Sequence, residues 1–145
     1  MSDKNELYQQ LILDHNKNPR NFRRLKDATH TCCGTNPLCG DELVVDIKLG
    51  ADKRVEEISF EGTGCAISKA SASIMTDSFT GKTEEEARAL VSEFVNLVKG
   101  ESGPDGTPHL APKLKVFKGV REFPSRVKCA SLAWHTLESA LDNMN

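Results

Sequence analysis

No apolar stretch among the 145 residues approaches the length needed to span a bilayer, and neither sign of charge dominates. Lysine and arginine total 19 against 21 acidic residues, for a formal charge of -2. The chain therefore offers no broad basic field to nucleic acid or to an anionic membrane, and neither is expected as a partner. Its opening residues Ser2, Asp3, Lys4, Asn5 and Glu6 are too polar for a secretory signal, so the expected location is cytoplasmic. Internal repeats and low-complexity tracts are absent as well. Hydrophobic residues make up 38% of the chain, enough to fill one modest core, and residues 1–145 read as a single domain. Five cysteines are present all the same. In the reducing cytosol they are ill suited to a disulfide framework, which leaves metal binding or thiol chemistry as their expected use.

Periodicity organises the chain. A helix is expected to begin near Asp3, with Glu6 placed for a capping box and Leu7, Leu11 and Ile12 on one face; Asn18-Pro19-Arg20-Asn21 ends it. An irregular stretch follows. From Glu42 to Leu49, apolar and polar residues alternate, which predicts a strand with Leu43, Val45, Ile47 and Leu49 inward and Asp46 and Lys48 on a solvated face. Gly50 to Lys53 reads as a turn and Val55 to Phe60 as the returning strand, with Ile58 and Phe60 inward. Cys65 to Phe79 has a helical period. Thr83 and Glu86 form a capping box for an amphipathic helix carrying Ala87, Leu90, Val91, Phe94, Leu97 and Val98 and stopping at Gly100. Glycine and proline from Gly100 to Pro112 suit a mobile surface loop. Leu114 to Val120 suits a short helix, and a last helix from about Ser125 should bury Val127, Ala130, Ala133, Trp134, Leu137 and Leu141.

Three cysteines stand where chemistry is plausible. In Cys39-Gly40-Asp41, an extended backbone would put thiolate and carboxylate on one side, and zinc accepts both kinds of donor. The tripeptide alone is a weak signal. Cys65 follows Gly62-Thr63-Gly64 at a strand-to-helix junction, where backbone N–H groups and the helix dipole favour negative charge, so it suits a ligand or a nucleophile. A phosphate-cradling loop is the rival reading, but there is no third glycine at dinucleotide spacing and no Gly-Lys-Ser/Thr ending. A phosphatase-type cysteine would need a following arginine, and none occurs between Cys65 and Lys82. Cys129 has Lys128 and Arg126 beside it near a helix start, which supports a functional thiol; a small buried cysteine on the inner face fits its neighbours equally well.

Taken together, the motifs resemble the SufU and IscU family of iron-sulfur assembly proteins. The resemblance runs through His15-Asn16-Lys17-Asn18-Pro19-Arg20-Asn21, Asn36-Pro37-Leu38-Cys39-Gly40-Asp41, Phe60-Glu61-Gly62-Thr63-Gly64-Cys65-Ala66-Ile67-Ser68 and Arg126-Val127-Lys128-Cys129-Ala130. It implies an α+β fold in which a three-stranded antiparallel sheet packs against several helices. It further implies a metal and cluster site at Cys39, Asp41, Cys65 and Cys129. Lys128 stands where many scaffold-type members carry histidine, and the gap from Cys65 to Cys129 (129 - 65 = 64) is longer than in that type. Both features are similar to the SufU branch, whose members bind zinc and accept persulfide sulfur from a SufS-type cysteine desulfurase.

On that resemblance, the expected protein holds zinc and passes sulfur on to downstream iron-sulfur assembly proteins. Cys39 is its sulfur acceptor, and Lys128 and Arg126 support the site. The alternative is a scaffold that binds iron and builds an iron-sulfur cluster on Cys39, Cys65 and Cys129. A third reading, an independent cysteine enzyme using Cys65 or Cys129 with His30 as base, has no diagnostic spacing behind it. Cys32 and Cys33 have no role in the family pattern and read as strand or loop thiols. His15 reads as structural, and His109 and His135 as solvated.

Overall fold

The computed structural model describes residues 3–37, 40–101 and 124–142, together with Leu114, Phe117 and Val120. In chain order the elements are α1 (Asp3–Lys17), β1 (His30–Asn36), β2 (Asp41–Leu49), β3 (Val55–Thr63), α2 (Ala66–Phe79), α3 (Glu84–Lys99) and α4 (Pro124–Asp142). The strands form one antiparallel sheet in the order β1-β2-β3, so the α+β expectation holds. Alternation drives it: Leu43, Val45 and Ile47 point to the helices and are at most 3% exposed, and Ile58 and Phe60 meet them from β3. Leu11 and Ile12 of α1 pack on the rim of this core; the Leu7 side chain lies outside the described residues.

Two expectations need correction. The stretch before β2 is not wholly irregular, since His30–Asn36 pairs with β2 throughout, from His30↔Ile47 to Asn36↔Asp41. Its polar, glycine-containing sequence carries no alternating apolar signal, and the pairing with β2 supplies the order. The outer face is not simply solvated either. Asp46 is only 1% exposed, because the chain at Arg24 and Leu25 lies against it. Arg24 Nε donates to Asp46 Oδ2 at 2.7 Å, Leu25 N–H at 3.0 Å, and Thr31 Oγ1 donates to Oδ1 at 2.7 Å. Burial alone would raise this carboxyl's pKa, but these donors outweigh burial and hold it below the usual carboxylate range.

Helix α2 is central and rich in small hydroxyl residues. Ser73 Oγ lies 2.7 Å from the buried His15 Nδ1, which gives His15 the structural role expected of it. Ser71 accepts from Trp134 Nε1 at 2.9 Å and donates to the Ala130 carbonyl, tying α2 to α4. Trp134 stacks on Phe94 of α3 with centroids 3.9 Å apart, and Phe117 meets Phe94 edge-on at 5.4 Å. The Thr83–Glu86 capping box forms in both directions, and Gly100 caps α3 with a left-handed backbone. Leu97, expected inward, is only partly buried, while Val95 is 7% exposed. The Gly100–Pro112 loop lies outside the described residues beyond Glu101. Leu114, Phe117 and Val120 are buried with local 3₁₀ geometry, at the place where a short helix was expected. No helix among the described residues is long and apolar enough to cross a membrane.

Candidate metal centre

Three separate elements deliver the donors. Asp41 opens β2 and points to the helix side of the sheet with Leu43, because the strand period is two. Cys65 is the N-cap of α2, immediately after β3, and its Sγ accepts the Ser68 N–H at 3.4 Å. Cys129 sits in the opening turns of α4, 3% exposed. The donor atoms of Asp41, Cys65 and Cys129 all lie within 4.8 Å of one another, although the residues are 24 and 64 positions apart in sequence (65 - 41 and 129 - 65).

Asp41 is the hub of the arrangement. Its Oδ1 accepts the Cys65 N–H at 2.8 Å, and its Oδ2 faces Asn36 Nδ2 at 3.4 Å. Asn36 Nδ2 also lies 3.7 Å from Cys129 Sγ. Gly64 makes room for the carboxylate: a Cβ there would stand 2.6 Å from Asp41 Oδ1. The N–H groups of Cys65 and Ser68 are thus turned to Asp41 and to Cys65 Sγ. That accounts for the glycine-flanked junction without a phosphate.

Two thiols and a carboxylate suit zinc, which takes sulfur at about 2.3 Å and oxygen at about 2.0–2.2 Å in a tetrahedron with edges of roughly 3.5–3.8 Å. The three donors would close by about 1.3 Å at most to reach it. Ser68 Oγ, fully buried one helical turn after Cys65, has no hydrogen-bond partner among the described residues. A buried polar atom left open one helical turn from a donor residue suits a site that holds something more. The residues present therefore fit a thiophilic divalent metal.

Cys39, the remaining member of the expected set, lies outside the described residues, between Pro37 and Gly40. Gly40 has φ +68 and lies in a turn, so it is not the extended residue before Asp41 that the sequence predicts. Cys32 is half-buried opposite Val45, and Cys33 is exposed opposite Val44, so neither joins the three donors. His30 is also displaced. It occupies the far end of β1, six residues or about 20 Å from Asn36, with its Nδ1 2.8 Å from Thr29 Oγ1. An antiparallel strand carries it away from both thiols, and a Cys/His pair with His30 is excluded.

Lys128 and Arg126 are exposed on α4. With Asn36, Ser131 and the exposed His135, Lys128 lines a groove of about 610 Å³ next to the donors. His109 lies outside the described residues. Asn36 and Gly64 are the site residues that sequence reasoning missed. Both stood within the family-like motifs, but their use depends on cross-strand pairing and on a side chain 23 residues away (64 - 41).

The profile of the NifU-like N-terminal domain matches residues 7–130. The zinc-dependent sulfurtransferase SufU of Bacillus subtilis strain 168 is 41% identical over 135 residues, covering 93% of this chain and 89% of that protein. The iron-sulfur cluster assembly scaffold protein IscU of Streptococcus pyogenes serotype M1 is 39% identical over 141 residues, covering 97% and 86%. The crystal structure of FiSufU from Fervidobacterium islandicum AW-1, described as an assembly scaffold for the SUF system, superposes with a TM-score of 0.83 at 34% identity, covering 94% and 97%. With the fold, the converging donors and these matches in agreement, the chain belongs to the NifU-like N-terminal domain family, together with the IscU and SufU proteins.

Proposed function

We propose that the chain is a cytoplasmic sulfur acceptor of iron-sulfur cluster assembly. In this reading Cys39, Asp41, Cys65 and Cys129 hold zinc. The observation that carries it is the convergence of Asp41, Cys65 and Cys129 from a strand, a helix cap and a second helix, a meeting that packing of apolar side chains does not require. Cys39 lies two peptide units from Asp41, so chain connectivity keeps the Cα atoms within roughly 7.6 Å. When bound, zinc would keep the thiols deprotonated and ready as nucleophiles.

The chain's own groups do the rest. The Ser68 N–H supports negative charge on Cys65 Sγ, and the Asn36 amide lies between the Asp41 carboxylate and Cys129. Cys39 thiolate attacks the outer sulfur of a persulfide on a SufS-type cysteine desulfurase. A new sulfur-sulfur bond forms on Cys39, the desulfurase sulfur-sulfur bond breaks, and its cysteine leaves as thiolate. Downstream iron-sulfur assembly proteins then receive the sulfur. Support for this reading comes from the SufU relative, named a zinc-dependent sulfurtransferase.

The scaffold reading places an iron-sulfur cluster on Cys39, Cys65 and Cys129, and the IscU relative, named a scaffold, favours it. Metal content and the visible spectrum of protein purified without oxygen separate the two: stoichiometric zinc with no sulfur-to-iron charge-transfer band opposes a resident cluster. Cys39→Ala is expected to abolish stimulation of desulfurase turnover. Full stimulation by that variant would overturn the assignment of the acceptor.

A further inference from the structure

Asn36 has a place in this site that the donors alone do not explain. It ends β1, pairs across the sheet with Asp41, and is 6% exposed. Its Nδ2 lies 3.4 Å from Asp41 Oδ2 and 3.7 Å from Cys129 Sγ. A carboxylate and a thiolate only accept hydrogen bonds, so the NH₂ end of the amide, with two hydrogens, is the end that suits both. Four residues, 37–40, span from Asn36 to Asp41 and include Cys39. The Asn36–Asp41 contact therefore closes the base of the segment that carries the proposed acceptor.

We propose that Asn36 is a positioning residue of the metal centre, its amide holding Asp41 and Cys129 together in the ligating arrangement. This rests on the zinc-site reading above. The contact to Asp41 is long for a hydrogen bond to oxygen, which sits nearer 2.9 Å, while that to the larger sulfur of Cys129 is within hydrogen-bond reach. Zinc binding would draw the donors together from within 4.8 Å toward the edge of a zinc tetrahedron. Asn36 would then donate to two acceptors whose mutual repulsion is greatest when they are brought close. Partners of this kind around a metal typically change its affinity 10- to 100-fold. Substitutes fail for identifiable reasons. Aspartate has the same shape but sets a third anionic acceptor against the other two, and alanine removes the donor.

The test compares wild type, Asn36→Ala and Asn36→Asp, full-length and reduced. It uses zinc affinity by chelator competition, the sulfur-to-cobalt charge-transfer band after Co²⁺ loading, and thermal denaturation of the metal-free proteins. Zinc affinity is expected to fall about 10-fold in Asn36→Ala and about 100-fold in Asn36→Asp, and the cobalt band is expected to move in both. A residue needed only for folding would lower metal-free stability and leave the band of the folded fraction in place. Wild-type affinity and an unmoved band in the variants, with wild type binding both metals, would overturn the role of Asn36 alone. Failure of wild type to bind zinc or cobalt would overturn the zinc-site reading and this inference with it. If Asn36→Asp does not fold, Asn36→Ala decides the outcome.

Discussion

Replacing Gly64 with alanine perturbs the centre at a single contact. The new Cβ would stand 2.6 Å from Asp41 Oδ1, 3.1 Å from Cγ and 3.3 Å from the Asp41 Cβ, whereas ordinary contact begins near 3.4 Å. The carboxylate must retreat by about 0.4–0.8 Å, enough to strain or break its 2.8 Å bond from the Cys65 N–H. Gly64 is not among the positive-φ glycines, so a backbone penalty does not confuse the result. Loss of a charge-assisted hydrogen bond of this kind costs about 1.5–3 kcal/mol. For a 145-residue chain that lowers the melting temperature by roughly 4–10 °C. Metal ligands tolerate only about 0.2 Å of displacement, so zinc affinity should fall at least about 10-fold. Chelator competition measures the second effect, and circular dichroism of metal-free protein measures the first. A Gly64→Ala protein that binds zinc as wild type does would refute the idea that Gly64 makes room for a ligating Asp41.

Asp46→Asn should destabilise the metal-free protein by about 2 kcal/mol in urea titration. It weakens three hydrogen bonds to a buried carboxylate, while the half-exposed Arg24 recovers hydration. Because the folded-state pKa of Asp46 lies below its unfolded value, its contribution is full above about pH 4 and is lost as pH falls through the lower folded pKa. The wild-type advantage over Asp46→Asn should therefore shrink in acid, and an unchanged difference at pH 3 and pH 7 would contradict this. Phe94→Ala removes the ring stacked on Trp134 and met by Phe117; it should cost about 3–5 kcal/mol and shift tryptophan fluorescence. Stripping zinc with a chelator from protein held in free zinc at about 100 times the dissociation constant should remove about 2.7 kcal/mol. Calorimetry should register this as a fall of roughly 5–10 °C.

Local rules made much of the chain legible. Alternation in Leu43-Val44-Val45-Asp46-Ile47 specifies β2, and the Thr83–Glu86 pair specifies where α3 begins, because each depends on neighbours within a few positions. The resemblance of the motifs to the SufU and IscU family implied Cys39, Asp41, Cys65 and Cys129 as a set. Three of these have their donors together in space, and the fourth lies outside the described residues. β1 was illegible because His30-Thr31-Cys32-Cys33-Gly34-Thr35-Asn36 has no apolar period, and it becomes a strand through hydrogen bonds to β2. The same pairing sends His30 to the far end of the sheet and brings Asn36 to Asp41. Asp46 read as solvated because the residues that bury it, Arg24 and Leu25, are more than 20 positions away. Which residue types can bind a metal is a property of side-chain chemistry and is written in the sequence. Which of them meet, and what holds them, is set by strand register and helix packing, because the contacts joining Asn36, Asp41, Gly64, Cys65 and Cys129 span up to 93 positions of chain.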